Sequence, residues 1–222
     1  MSRDILRLRT GVKSLTLCLV FFLTSCAYIN GQFEEVCKTR AYIRLGLADY
    51  ISKRYHSDAP VRLGVIPFTV PANLATVNAE RPGLDAQLAW RIQAELLEQQ
   101  QIPIVEFLPR QDWPGKKDEF FTGNYGAIRL ARDAGYDLVF VGYVDALRST
   151  TELVAYGKIL DTESGVTVWY GKSDVNTQRK ELQDLRSSIG LQPERTDIIY
   201  ASPLIDELAR CVVKNASDEE PK

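Results

Sequence analysis

The stretch Leu138-Val-Phe-Val-Gly-Tyr-Val144 is almost continuously apolar. A run of this length and composition is typical of a β-strand that is covered on both faces. The residues before it predict a helix that Asn124 caps and Gly135 ends. Its inward-facing positions are Ala127, Leu130, Ala131 and Ala134. The centre of the chain therefore predicts a helix that leads into a buried strand.

Strands and helices also alternate on the amino-terminal side of this centre. Residues 61–68 predict a strand, residues 84–100 a helix and residues 102–107 a short strand whose Pro103 belongs at its start or on a sheet edge. A polar loop is predicted from Leu108 to Gly123. This β-α-β-α-β order implies strands that pair in parallel.

A hairpin is predicted on the carboxyl-terminal side. Residues 151–160 and 166–175 are rich in β-formers, and Asp161-Thr-Glu-Ser-Gly165 lies between them with Asp161 and Gly165 shaping the turn. Helices are predicted at both ends of the domain, over residues 33–55 and from Ser202-Pro203 onward.

These elements together predict one α/β domain with a mixed sheet, built in two or three layers and flanked by terminal helices. The predicted domain spans residues 33–215, and residues 216–222 are predicted to form a flexible tail.

The first 25 residues have the layout of an export signal. Basic residues come first, and a short apolar run, Leu15 to Leu23, ends in small residues. The run is too short to cross a bilayer, which takes about 20 apolar residues. Residues 1–25 are therefore predicted to be a signal peptide, and residues 26–32 a lipidated tether.

The end of this segment, Leu23-Thr-Ser-Cys26, resembles the bacterial lipobox. The resemblance implies that the sulfur of Cys26 receives diacylglycerol and that the new amino terminus is acylated, with palmitate as the expected kind of chain. Two or more chains anchor a protein stably. Ala27 stands where aspartate commonly signals inner-membrane retention, which favours the outer membrane, facing the periplasm. The alternative is an ordinary cleaved signal with an incidental cysteine.

The charge of the chain argues against a nucleic-acid partner. Residues 1–25 hold four of the 27 basic and one of the 29 acidic residues, so the remainder has 23 and 28 and a formal charge of −5. Phosphate neutralisation needs concentrated Lys and Arg. No nucleic-acid partner is therefore expected. The lipobox resemblance implies the membrane as a partner through lipid on Cys26, and the resemblance and aromatic residues described below imply an envelope protein or a second copy of the chain.

Two cysteines remain once Cys18 has left with the signal and Cys26 carries lipid. These are Cys37 and Cys211, and an exported compartment permits a disulfide between them. The alternative is two separately buried thiols, because free cysteine is often buried as a small apolar residue.

Three segments resemble periplasmic domains of the TolB amino-terminal, penicillin-binding-protein activator and curli-secretion lipoprotein group. They are Leu63-Gly-Val-Ile-Pro-Phe68, Ala131 to Gly142, and Ile159 to Gly165. The resemblance implies a nonenzymatic envelope component, either a regulator of wall synthesis or part of an export or assembly complex. A pore formed by the chain's own hairpins is disfavoured, because the loops 69–82 and 108–122 are too short and too polar.

Few residues suit catalysis. The chain has one histidine, His56, and it shows no metal-binding cluster and no dinucleotide-binding loop, so no cofactor, metal or catalytic residue is predicted. Large aromatic side chains beyond the strand ends instead predict a protein-docking patch. Its residues are Phe68, Trp113, Phe120 and Phe121. The alternative is that these rings cover the edge of the sheet.

The sequence thus predicts an outer-membrane lipoprotein that acts as a nonenzymatic adaptor, assembly factor or regulator in wall synthesis or export. Two other functions stay open. One is a structural subunit of an export ring, and the other is a hydrolase of envelope polysaccharide or peptidoglycan that uses carboxylates.

Overall fold

A computed structural model describes residues 37–56, 59–75, 82–109, 117–145, 152–176 and 201–217. Six strands and five helices lie in these ranges. The strands are β1 (Cys37–Arg44), β2 (Arg62–Val65), β3 (Ile104–Phe107), β4 (Leu138–Val144), β5 (Glu152–Asp161) and β6 (Thr167–Asn176). The helices are α1 (Leu47–Arg54), α2 (Leu84–Glu98), α3 (Lys117–Thr122), α4 (Tyr125–Asp133) and α5 (Ala201–Ser217).

The strands form one mixed sheet in the order β1-β6-β5-β4-β2-β3. β2 pairs in parallel with β3 and β4, whereas β4, β5, β6 and β1 pair antiparallel in succession. The predicted α/β class, with a β-α-β-α-β unit followed by a hairpin, is confirmed. β4 is buried at every position, as its apolar sequence predicts.

The prediction of a helix over residues 33–55 is wrong in its first part. Cys37–Arg44 is an edge strand that pairs with β6 from Cys37 opposite Val175 to Arg44 opposite Trp169. Only Leu47–Arg54 is helical, and it begins after Gly46, which has a positive φ of 75°. The pairing with β6 supplies backbone hydrogen bonds that a helix here would have replaced, so a long-range contact overrides the helical spacing of the apolar residues.

Two further element boundaries differ from the prediction. Residues 117–122 form α3 inside the predicted polar loop. Asn124 does precede α4, but its side chain makes no cap hydrogen bond and donates instead to the Phe120 carbonyl oxygen, because its backbone is left-handed (φ 57°). Gly135, with φ 78°, follows α4 as predicted.

The last helix begins at Ala201 and continues to Ser217, two residues past the predicted end of the domain. The cause is Asn215, whose side chain is fully buried and donates to the Lys172 carbonyl oxygen at 3.0 Å. The Asn215 carbonyl oxygen accepts a hydrogen bond from the Trp169 indole at 3.1 Å. These contacts fix the end of α5 to β6.

Each side of the sheet has its own apolar core. On one side α2 and α5 pack over the strands, with α5 contacting β1, β5 and β6. The largest side chains of this core include Trp169, Phe68, Phe140 and Leu208. On the other side α3 and α4 pack against β4 around Ile66, Val139 and Ala131.

A disulfide joins Cys37, at the start of β1, to Cys211 in α5, with the two Cα atoms 5.7 Å apart. The disulfide that the cysteine count favours is thus present, and it ties the edge strand to the carboxyl-terminal helix. Among the described helices, none combines the length and the apolar character that crossing a bilayer requires.

Candidate functional site

The side of the sheet opposite α5 carries tyrosine and cationic side chains on β1, β6, β5 and β4. Successive residues of a strand point to opposite sides, and the strand register brings these side chains next to each other. We call this surface the tyrosine face, and it consists of Arg40, Tyr42, Tyr143, Tyr156, Lys158, Tyr170 and Lys172.

The centre of the tyrosine face comes from a repeated tripeptide. Tyr156-Gly-Lys158 on β5 pairs antiparallel with Tyr170-Gly-Lys172 on β6. The register sets Tyr156 opposite Lys172, and Lys158 opposite Tyr170. Each tyrosine of the repeat therefore has one lysine opposite it on the other strand and one lysine two residues along its own strand.

The two glycines of the repeat serve the opposite side of the sheet. Gly157 lies opposite Gly171, and a Cβ atom on either would lie within 3.0 Å of the Trp169 indole. The indole therefore occupies the space that side chains at 157 and 171 would need. The repeat thus has a packing role on one side and exposes polar aromatic residues on the other.

One row of the face crosses four strands. Arg40 on β1 is opposite Lys172, Lys172 is opposite Tyr156, and Tyr156 is opposite Tyr143 on β4. The Tyr143 and Tyr156 rings stack with centroids 4.7 Å apart and an interplanar angle of 8°. Two cations therefore stand beside a pair of stacked rings.

A second aromatic pair lies next to this row. The Tyr42 and Tyr170 rings are 4.8 Å apart, and the Arg40 guanidinium lies 5.1 Å from the Tyr42 ring centroid. Tyr42 is 43% exposed. β1 therefore contributes a solvent-accessible ring and a cation to the edge of the face.

The Lys158 side chain contacts Phe120, which lies beneath the tyrosine face. Its Nζ donates to the Phe120 carbonyl oxygen at 2.6 Å and lies 4.3 Å from the Phe120 ring centroid. Burial lowers the pKa of this ammonium group. Lys158 thus joins α3 to β5 and is not a solvated docking cation.

Two tyrosine hydroxyls of the face, those of Tyr143 and Tyr170, are neutral at physiological pH because their pKa values are raised. Burial is the largest cause that raises the pKa of Tyr143, and the neighbouring Tyr156 and Asp145 add to it. Burial likewise raises the pKa of Tyr170, with Tyr42 and Tyr156 adding to it. Tyr143 and Tyr170 consequently present protonated phenols beside the cations of the face.

The four aromatic residues predicted to dock a partner are placed differently from one another. Phe68 is only 2% exposed and packs against Phe140, so it is a core residue and the prediction is wrong for it. Phe120 is 3% exposed beneath the tyrosine face, where its ring contacts Tyr143, so it supports the surface from below. Phe68, which follows β2, and Phe120, which lies in α3, both point inward, where burying the apolar area of the ring is favourable.

The other two predicted residues have different outcomes. Phe121 is 55% exposed and adjoins the tyrosine face through an edge contact with Tyr143, at 5.6 Å between centroids. Trp113 lies outside the described residues. Docking through Phe121 therefore stays a prediction, and Phe121 lies at the border of the tyrosine face. The prediction did not include the tyrosines, which the Tyr-Gly-Lys repeat could have indicated.

A second polar cluster surrounds Asp161 at the hairpin turn. One oxygen of this buried carboxylate accepts hydrogen bonds from the backbone of Glu163 and from the backbone and hydroxyl of Ser164. The other accepts from the hydroxyls of Tyr50 at 3.0 Å and Tyr55 at 2.8 Å. The cluster fixes α1 to the turn.

The pKa values in this cluster follow from its hydrogen bonds. Burial alone raises the pKa of Asp161, but the hydrogen bonds from Ser164, Tyr55 and Tyr50 outweigh it and the net pKa is lowered. Burial and the hydrogen bond to Asp161 raise the pKa of Tyr55. The carboxylate is therefore charged, with both oxygens engaged in structural contacts. No group of three or more metal-binding side chains occurs in the described ranges.

Comparison with known proteins finds no matching family model and no matching curated protein. Solved structures do match. The PelC dodecamer from Paraburkholderia phytofirmans is 11% identical, with 82% of this chain and 99% of that chain covered and a TM-score of 0.43. Lipoprotein GNA1162 from Neisseria meningitidis is 15% identical, with 59% and 94% covered and a TM-score of 0.34.

The LpoB C-terminal domain from Escherichia coli is 17% identical, with 60% of this chain and 96% of that chain covered and a TM-score of 0.30. The matches thus include a lipoprotein and the LpoB domain, which is consistent with the group that the sequence resembles. Similarity at these values carries no conclusion about function.

Proposed function

We propose that this chain is a nonenzymatic adaptor of the bacterial envelope, anchored in the outer membrane by lipid on Cys26 and facing the periplasm. The lipobox-like segment Leu23 to Cys26 supports the anchor. The Cys37–Cys211 disulfide is in keeping with an oxidising compartment such as the periplasm.

The tyrosine face is the observation that carries the adaptor function. Tyr and Arg are the residue types that most often dominate binding energy at protein interfaces. In this protein, tyrosines and Arg40 lie together on the tyrosine face. One of its rings, Tyr42, is 43% exposed, and Phe121 at its border is 55% exposed. A partner protein that covers this surface would remove both rings from water.

The hydrolase alternative has less support. A catalytic carboxylate must be able to reach the substrate, and a general acid among them needs a raised pKa. Asp161, a buried carboxylate, has a lowered pKa and already accepts hydrogen bonds on both oxygens. Its surroundings explain it as a turn-stabilising group. Burial, with the neighbouring Glu98, raises the pKa of Glu95, but this carboxylate pairs with Arg210 at 3.7 Å between α2 and α5.

Site-specific photo-crosslinking in cells tests the proposed function. A photoreactive amino acid replaces Phe121 in the full-length chain, and a matched control replaces Val166, which is 41% exposed next to the hairpin turn. We expect position 121 to give a crosslinked protein and position 166 to give none. The mass of the adduct separates a different protein from a second copy of the chain, which would favour the ring subunit. Absence of any adduct at 121 would contradict the adaptor function.

A further inference from the structure

Building on the proposed function, we infer that the tyrosine face binds a protein segment rich in Asp and Glu carboxylates, seated on the row formed by Arg40 and Lys172. The inference names the chemistry of the partner, whereas the proposed function requires only that a partner binds this surface.

The first support is an unfavourable arrangement of charge. Arg40 and Lys172 lie directly opposite each other on β1 and β6. Like charges at opposite positions of an antiparallel pair destabilise the sheet. Lys172 forms an ion pair with Asp174 at 3.8 Å, whereas among the residues that the structure describes no carboxylate forms an ion pair with Arg40. An incoming carboxylate would relieve this repulsion.

The second support is the contrast with the rest of the chain. Without residues 1–25 the chain carries a formal charge of −5. β1 nevertheless holds Lys38, Arg40 and Arg44 and no acidic residue, and β6 adds Lys172 and one carboxylate, Asp174, opposite Lys38. Arg44 is occupied with Asn215 on the opposite side of the sheet. Lys38, Arg40 and Lys172 against the single carboxylate of Asp174 leave a net positive charge on this side of β1 and β6, which attracts an acidic partner and orients it.

The third support concerns the geometry of binding. An Arg guanidinium can hold a carboxylate through two parallel hydrogen bonds, and an ammonium group adds a point charge. Arg40 is exposed, and the Lys172 side chain is 29% exposed. The two side chains start from adjacent strands about 5 Å apart, so they can hold one carboxylate together or two neighbouring carboxylates of one segment.

The arrangement of the rings favours a protein over an anionic polysaccharide. A sugar ring would need an uncovered aromatic face to lie on. The Tyr143 ring is stacked on Tyr156, and the Lys172 ammonium lies 6.0 Å from the Tyr156 centroid on this face. Tyr170 has Tyr42 at 4.8 Å and the Lys158 ammonium at 5.1 Å from its ring. Tyr42 is 43% exposed, but its ring has Tyr170 at 4.8 Å and the Arg40 guanidinium at 5.1 Å from its centroid. The rings of the tyrosine face therefore pack against one another and against cations.

A binding experiment on the full mature chain, lipidated and held in detergent micelles, tests the inference. The probes are a fluorescent oligoglutamate peptide, an oligoglutamine peptide of equal length and an oligogalacturonate. We expect oligoglutamate to bind, with an affinity that falls as salt is added, and oligoglutamine to show no binding. Arg40→Glu should weaken oligoglutamate binding about tenfold or more.

Lys53→Glu is the matched control, because Lys53 is an exposed cation on α1 and its replacement changes the net charge by the same amount. Its affinity for oligoglutamate should stay close to wild type. Equal weakening by both variants would mean unspecific attraction and would overturn the inference. Binding of oligogalacturonate in preference to oligoglutamate, or no binding of oligoglutamate, would also overturn it. Arg40→Gln, a milder change at an exposed position, should give an intermediate loss if the fold is intact.

Crosslinking from position 121 separates the two levels of the proposal. If the wild type captures a protein and Arg40→Glu captures it equally well, the adaptor function stands and the acidic-segment inference is wrong. If the wild type captures nothing, the adaptor function itself fails. Loss of capture in Arg40→Glu and retention in Lys53→Glu is the result we expect.

Discussion

Asp161 holds together a turn and a helix that are far apart in the sequence. Its hydrogen bonds to the Tyr50 and Tyr55 hydroxyls span 111 and 106 residues. Asp161→Asn removes the charge while keeping the shape, and we expect it to lower the free energy of unfolding at pH 7 by about 2 kcal/mol. Urea unfolding measures this change. Glu163→Gln is the control, because the Glu163 side chain is 78% exposed and its ion pair with Arg54 contributes little.

The same carboxylate predicts a pH dependence. The folded state lowers the pKa of Asp161 below the ordinary value of 3.8. The stabilisation is therefore complete above the pKa of the unfolded chain and disappears as the pH falls through the lower, folded pKa. Wild-type stability should drop between about pH 5 and pH 2, and Asp161→Asn should show a shallower drop. Parallel curves for the two proteins would rule out Asp161 as a source of the acid sensitivity.

Gly142 is the second position where one residue decides the local packing. A Cβ atom there would lie 2.6 Å from the Tyr156 carbonyl oxygen and would also clash with the Phe68 ring. The carbonyl belongs to β5 and cannot move away without breaking the pairing with β4. We therefore expect Gly142→Ala to destabilise the fold by about 1–3 kcal/mol in urea unfolding.

Gly64→Ala provides the comparison for Gly142→Ala. Gly64 is also in a central strand, but its nearest neighbours are side-chain atoms of Leu108 and Tyr136 at 3.3 Å. These side chains can shift by a few tenths of an ångström, so the loss should be smaller. A larger loss at Gly64 than at Gly142 would show that the carbonyl of Tyr156 does not set the limit.

At the scale of elements, the parts predicted well are those whose sequence patterns are local. The all-apolar β4, the hairpin of β5 and β6 around Asp161 to Gly165, and the apolar stripe of α2 are present within a few residues of the predicted bounds. Each depends on periodicity or turn residues within one segment.

The elements that were missed depend on distant partners. β1 has apolar residues at helical spacing, yet it is a strand because β6, more than 120 residues away, pairs with it. The short helix α3 lies in a polar stretch and is held through Phe120, whose ring packs under Tyr143 and Tyr170. Neither contact can be found from the segment itself. The tyrosine face was missed in a different way. The repeated Tyr-Gly-Lys tripeptide is visible in the sequence, but the register of β5 and β6 is needed to place its two copies side by side.

The disulfide acts at this scale, since it connects the edge strand β1 to α5 across 174 residues. Replacing both cysteines with serine should lower the free energy of unfolding by about 2–5 kcal/mol. β1 should lose most protection, because an edge strand is paired on one side only. Amide hydrogen exchange in β1 measures that local effect, and urea unfolding measures the total.

Reducing agent provides the control for the disulfide prediction. It should destabilise the wild type and leave the Cys37→Ser/Cys211→Ser protein unchanged. Equal urea midpoints for oxidised and reduced wild type would show that the bond contributes no stability.

At the scale of the whole molecule, the fold and the proposed location are separate properties. The domain holds its own apolar cores on both sides of the sheet and its disulfide. Replacing Cys26 should therefore change where the protein is found and leave its unfolding behaviour unaltered. The proposed location would depend on acyl chains, in which each buried methylene group contributes about 0.8 kcal/mol.

Cys26→Ala should accordingly move the protein out of the membrane fraction and abolish its labelling by a palmitate analogue. Cys18→Ala is the matched control, because Cys18 lies within the apolar run of the signal, eight residues before Cys26. It removes a thiol without altering the lipobox-like segment, so membrane retention and labelling should both persist. If Cys26→Ala stays with the membranes as firmly as the wild type, the anchor is wrong. Without the anchor, the membrane would not raise the local concentration of a membrane-bound partner near the tyrosine face, and binding would depend on the affinity of the face alone.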